Sequence, residues 1–166
     1  GNTHSGGDLA VNVSEGFLRN EGELAATGDV SLFARDTVTN ANIMHGGGKI
    51  DIQSDTGTVD NAATGEIISN ASITVSAGQG VKNANLIQAV EDIDISTGGW
   101  VINNKTIKAG GTAILGADGA VTNSGLVQGY ARLAVIGNRP TNNAHSSPPS
   151  GCAADSPHAQ PLANRC

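Results

Sequence analysis

Aromatic residues are almost missing from this chain: Phe17, Phe33, Trp100 and Tyr130 make up 2% of its 166 positions. A compact globule draws much of its core area from aromatic rings. That kind of core is excluded here, and Val, Ile, Leu and Ala must fill a narrow interior. Basic residues are also scarce, with 9 Lys and Arg against 15 Asp and Glu and a formal charge of −6. A nucleic acid or an anionic membrane surface is therefore not an electrostatic partner. No apolar run reaches the length that crosses a bilayer, so membrane insertion is not expected. Proline and cysteine are absent from the first 138 residues, and all five prolines and both cysteines follow. That divides the chain into a region 1–138 and a tail 139–166.

What the chain does contain is a repeat. A branched aliphatic residue is followed two places on by asparagine in Leu18-Arg19-Asn20, Val38-Thr39-Asn40, Val59-Asp60-Asn61, Val81-Lys82-Asn83, Val101-Ile102-Asn103 and Val121-Thr122-Asn123. The asparagines are 20, 21, 22, 20 and 20 residues apart. A unit of that size has too little apolar surface to offset its own ordering entropy, but stacked units can.

Each unit opens on a short alternating segment, such as Leu9-Ala10-Val11, Val30-Ser31-Leu32 or Ile93-Asp94-Ile95. Period-two alternation points the first and third residues inward. The aliphatic residue of each triplet begins a second strand. A third strand follows the asparagine, as in Ile43-Met44, Ile67-Ile68 and Leu126-Val127. Three strands in about twenty residues describe one coil of a parallel β-helix, with coils rising about 4.8 Å apiece and seven of them spanning about 30 Å. No segment keeps helical apolar spacing, which excludes a helical solenoid. A β-sandwich would not demand the same motif at the same interval.

Four places before the asparagines stand Gly16, Asp36, Gly57, Gln79, Gly99 and Gly119. Glycine at four of six predicts a backbone position with positive φ. Asn20, Asn40, Asn61, Asn83, Asn103 and Asn123 are read as a structural ladder. Stacked amides donate and accept along the stack while satisfying turn backbone, and asparagine tolerates the left-handed conformation that corners often need. Outward positions support in-register stacking. Asp51 and Asp94 are separated by Thr74 in one column, and only Asp8 over Asp29 sets like charges on neighbouring coils.

The search for chemistry yields little. Asp92 and Asp94, with Asp51 and Lys49 on the same face, are the nearest approach to the carboxylate cluster of a β-helix polysaccharide lyase or hydrolase. No arginine joins them and no long loop builds a cleft, so a solvated acidic face is the expectation and no catalytic residue is assigned. Histidine and cysteine lack the pairing of a metal site, and no cofactor or metal is expected. His45 reads as an exposed turn residue, and Gly46-Gly47-Gly48-Lys49 as a flexible corner rather than a P-loop. Trp100 is the candidate surface-recognition residue: an exposed indole stacks on a sugar or anchors a partner, or else covers the apolar edge of a neighbouring coil. The unit from Asn61 to Asn83 carries extra residues around Ala63-Thr64-Gly65-Glu66, read as a bulge or small loop.

The tail has few aliphatics and no periodicity and is expected to be disordered, either a linker towards a further domain or a non-native terminus. Cys152 and Cys166 either close a small loop in an oxidising compartment or stay free. The amino terminus, Gly1-Asn2-Thr3-His4, shows no signal peptide and starts partway into a repeat, so the chain reads as a piece of a longer protein.

Gly28-Asp29-Val30-Ser31-Leu32 leading to Val38-Thr39-Asn40, and Ala120-Val121-Thr122-Asn123-Ser124-Gly125-Leu126-Val127, resemble filamentous haemagglutinin repeats over about Gly6 to Asn138. These occur in large exoproteins of two-partner secretion in Gram-negative bacteria. The resemblance implies a right-handed parallel β-helix, exported through an outer-membrane transporter by an amino-terminal part that this chain lacks. It also implies display at the cell surface or release as an adhesive or toxin-carrying fibre. The expected function is a non-enzymatic shaft of a secreted adhesin that meets a host-cell receptor or glycan. The stalk of a contact-dependent growth inhibition toxin is one alternative, and a carbohydrate-active β-helix enzyme is the other.

Overall fold

In a computed structural model, residues 1–138 and 141–142 are described. They contain strands and turns and no helix, wound into a β-solenoid of about seven coils. The first coil holds β1 (Thr3–Ser5), β2 (Leu9–Val13) and β3 (Leu18–Asn20), and the next holds β4 (Leu24–Ala26), β5 (Val30–Ala34) and β6 (Val38–Asn40). Above them come β7 (Ile43–Gly46), β8 (Ile50–Ser54) and β9 (Thr58–Asn61), then β10 (Glu66–Ser69), β11 (Ile73–Ala77) and β12 (Gly80–Asn83). The upper coils are β13 (Leu86–Ala89), β14 (Ile93–Thr97) and β15 (Trp100–Asn103), then β16 (Thr106–Ala109), β17 (Thr112–Ala117) and β18 (Val121–Asn123). The stack ends with β19 (Leu126–Gly129), β20 (Arg132–Ile136) and β21 (Thr141–Asn142). Every third strand pairs in parallel with the equivalent strand of the adjacent coils, giving three seven-stranded sheets.

The parallel β-helix expected from the repeat is therefore the architecture found. The aliphatic columns predicted to face inward do so: Val30, Ile50, Ile73 and Ile93 stack in the second sheet, and Val38, Val59, Val81 and Val101 in the third. The first sheet contributes Met44, Ile67, Ile87 and Ile107. Three narrow sheets meet along one thin aliphatic core, which explains how the protein manages without rings.

Several expectations change. Thr141–Asn142 pair in register with Thr122–Asn123, so the third sheet extends past the boundary at residue 138. The other readings of the tail, including those on Cys152 and Cys166, lie outside the described residues. Among the predicted glycines only Gly16 has positive φ, at 90°. Gly57, Gly99 and Gly119 are instead places of close approach, where a β-carbon would lie 2.3, 1.7 and 2.6 Å from a carbonyl oxygen of the preceding coil. No described non-glycine residue has positive φ, so the asparagines are not left-handed corners but the last residues of extended strands.

His45 is not an exposed turn residue. It lies half-buried on β7, between Ala25 and Ile68 in register. The glycine run beside it is a packed corner: β-carbons on Gly47 and Gly48 would lie 2.2 and 2.1 Å from Thr27 O and Asp29 Oδ1. The extra residues after Asn61 form a tight turn closed by Gly65 N–H to Ala62 O at 2.9 Å, with Thr64 Oγ1 donating to Ala41 O at 2.7 Å. Ala134 keeps its place in the column that begins at Ala10, yet it is buried rather than outward-facing.

Candidate functional site

Three features of the rod carry polar groups in ordered arrays: the asparagine column, the outward face of the second sheet, and the corner between the second and third sheets.

Each of the six asparagines ends a strand of the third sheet, with its side chain turned inward and buried. Nδ2 of Asn20, Asn40, Asn61, Asn83 and Asn103 donates to Oδ1 of the next asparagine up, at 2.8, 3.0, 2.8, 2.8 and 2.7 Å. The second N–H of each goes to a carbonyl where the first sheet resumes one coil higher: Ile43, Glu66, Leu86, Thr106 and Leu126, at 3.0–3.1 Å. That second bond fixes which end of each amide is nitrogen, so every dipole points the same way and the chain of bonds can strengthen cooperatively. Oδ1 also accepts turn N–H groups, from Gly22, Asn85 and Gly125. Aspartate could not donate in this position. The column is spent on the fold, and its burial leaves no face to a ligand.

The outward face of the second sheet holds Asp51, Thr74 and Asp94 in direct register. One column over, carboxylates grip the backbone. Asp8 Oδ1 accepts Asp29 N–H at 2.9 Å, Asp29 Oδ1 accepts Lys49 N–H at 2.7 Å, and Asp92 Oδ1 accepts Thr112 N–H at 2.6 Å. Asp8 below Asp29 is thus an accepted hydrogen bond and not merely two charges in opposition. Asp92 is likewise tied to the next coil; it is exposed and lies just before β14, on which Asp94 is also exposed. Sequence reasoning missed this clamp, although an Asp with a Gly about one repeat later, as in Asp8 and Gly28, Asp29 and Gly48, and Asp92 and Gly111, was its visible trace.

At the corner between the second and third sheets, small residues leave a shallow open trough of about 400 Å³. Ser76, Ser96, Gly78 and Gly98 form its floor between Gln53 and Asp55 at one end and Asp118 at the other. No sequence signal pointed to it, because it arises from side chains that are small on consecutive coils. Trp100 begins β15 beyond this corner, half-buried. Its ring lies over Gly80 of the coil below, where a β-carbon would come within 2.5 Å of Cε2. Lys82 lies on the third sheet, Lys105 on the turn that follows β15 and Lys108 on the first sheet. Asp60 is less settled: among the described residues its Oδ1 is closed off from solvent with no hydrogen-bond partner, in a column between Thr39 and Lys82.

Among the described residues no three His, Cys, Asp or Glu side chains are grouped so as to hold a metal ion. Among the described residues there is also no helix long and apolar enough to cross a membrane. Compared with known proteins, the chain matches no family model, no curated protein and no solved structure.

Proposed function

We propose that this chain is a shaft segment of a secreted, filamentous-haemagglutinin-like adhesin, a non-enzymatic rod displayed at a bacterial surface to present a receptor- or glycan-binding region to a host cell. The observation that carries this reading is the unbroken amide column from Asn20 to Asn123, running the length of three in-register sheets. A rod organised in this way supplies length and stiffness from identical coils. Its polar groups are used between coils and not gathered round a reacting centre. Export through an outer-membrane partner fits a fold that adds one coil at a time, since each coil makes contact only with its neighbours.

Two measurements test this reading. Deleting the region from the full-length parent should lower binding of the producing bacterium to host cells; unchanged binding would contradict it. Incubation of the purified chain with acidic and neutral polysaccharides, with and without Ca²⁺, should release neither reducing ends nor unsaturated sugars. Release that Asp94→Ala abolishes would replace the shaft with an enzyme.

A further inference from the structure

Of the three sheets, the first turns out the most apolar face. One outward column runs Ile43, Glu66, Leu86, Thr106 and Leu126, in register on β7, β10, β13, β16 and β19. The column beside it runs His45, Ile68, Gln88, Lys108 and Gln128. At the corner that follows stand Gly47, Asn70, Val90, Gly110 and Tyr130, each bonded through its N–H to the coil below. Ile43, Val90 and Tyr130 are large apolar side chains left 38%, 61% and 57% exposed. The second sheet turns out Asp51, Thr74 and Asp94 instead, and the third Thr39, Asp60 and Lys82.

This face is symmetrical about β13. Leu86 has a polar residue one coil away on either side, Glu66 and Thr106, and an aliphatic one two coils away, Ile43 and Leu126. In the corner column Val90 is central, with Asn70 and Gly110 next to it and Gly47 and Tyr130 beyond. A two-fold axis along β13 lays such a face on its own copy with the rods antiparallel. β7 then meets β19 of the second copy, β10 meets β16, and β13 meets itself.

We propose that the outer face of the first sheet joins two copies of the chain, packed side by side and antiparallel. Leu86 and Val90 each meet their own counterpart, Ile43 meets Leu126, and Tyr130 lies over Gly47, which has no side chain to obstruct the ring. Lys108 lays its stem across Ile68 of the other copy and brings its ammonium to Glu66, two residues along the same strand. Parallel rods, related by an axis along their length, would set Ile43 on His45, Leu86 on Gln88 and Leu126 on Gln128, and the match would be lost. The antiparallel contact is isologous and closes at two copies. Five coils at about 4.8 Å and five residues at about 3.3 Å give about 400 Å² per copy. That is the small end of interface sizes, so the dimer is weak and forms at high concentration. None of this depends on what the rod displays.

Sedimentation velocity on the full chain, from micromolar to millimolar and with reductant present to keep Cys152 and Cys166 from linking copies, tests the proposal. The expected result is a monomer that passes into a dimer as concentration rises and grows no further. Val90→Lys, at an exposed corner that leaves folding intact, should weaken the dimer at least about tenfold, because two ammonium groups then meet at the axis. Glu66→Lys and Lys108→Glu should each weaken it, and the two together should restore it. A monomer at every concentration would overturn the proposal, and so would growth beyond the dimer. A dimer indifferent to these substitutions, or a double variant no tighter than the single ones, would overturn it as well.

Discussion

Oδ1 of Asp29 sits 2.1 Å from where a β-carbon on Gly48 would be, and accepts the N–H of Lys49 at 2.7 Å. The same geometry joins Asp8 to Gly28 and Asp92 to Gly111, with β-carbon distances of 2.1 and 2.3 Å. Where the lower coil carries Lys49, Ser72 or Thr112 instead, the coil above has Ala71, Glu91 or Ala131 in the glycine's place. A carboxylate that reaches up to hold a backbone N–H needs the space that a side chain on the preceding residue would fill.

Gly48→Ala should therefore destabilise the rod by about 1 kcal/mol, the net value of a hydrogen bond lost when the carboxylate is pushed aside. In an Asp29→Ala background the same substitution should cost clearly less, the remaining close approach being Gly28 C at 3.1 Å. Urea denaturation of the four proteins in this cycle measures the coupling. Simple additivity would show that the two residues do not interact.

Asn83 stands in the middle of the column, and its removal leaves one N–H of the Asn61 amide unpaired and takes a donor away from Asn103 Oδ1 and the carbonyl of Thr106. Asn83→Ala should lower stability by about 1–3 kcal/mol, the cost of buried polar groups left unsatisfied. Asn83→Asp should cost more, because it buries a carboxylate with an oxygen facing Asn103 Oδ1 and the carbonyl of Thr106. Asn104→Ala, one residue past the ladder and exposed, is the control and should have little effect. Equal effects at Asn83 and Asn104 in thermal melts would mean that the buried amides contribute nothing special.

The chain has a single tryptophan, and its ring rests on Gly80. Gly80→Ala adds one methyl group under the indole. Ordinary strand preferences favour alanine over glycine, yet here the ring must lift away. Emission should move to longer wavelength and acrylamide quenching should increase. Unchanged fluorescence with improved stability would mean that the indole does not cover this coil.

Asp60 holds an acceptor that, among the described residues, is shut off from water and unbonded, on an outward column that has Thr39 just below and Thr122 higher up. Asp60→Thr removes that acceptor and introduces a β-branched residue suited to a strand. Stability should rise by about 1 kcal/mol, the span of strand preferences measured in a host protein. A fall in the denaturation midpoint would reveal a partner for the carboxylate.

Much of the fold was legible in the sequence because stacking writes itself as period: the V-x-N interval gave the coil, and alternation within Ile93-Asp94-Ile95 gave the inward face. What was not legible depends on contacts between coils. Gly57 and Gly99 look like turn glycines in isolation, and only the carbonyl of the coil below shows that they make room and do not supply positive φ. Asn142 escaped notice because Pro140 occupies the place of the aliphatic residue in its triplet, so a pattern search passes over it. The trough between Asp55 and Asp118 comes from small side chains 20 to 23 residues apart, and no local motif marks it.

Nuclear magnetic resonance of the asparagine side-chain amides tests the stacked column most directly. The account predicts through-space contacts between the δ-amide protons of each successive pair from Asn20 to Asn123. It also predicts slow solvent exchange at Asn40, Asn61, Asn83 and Asn103 beside fast exchange at Asn104. Ladder amides that exchange as quickly as that of Asn104, with no contacts between coils, would contradict it.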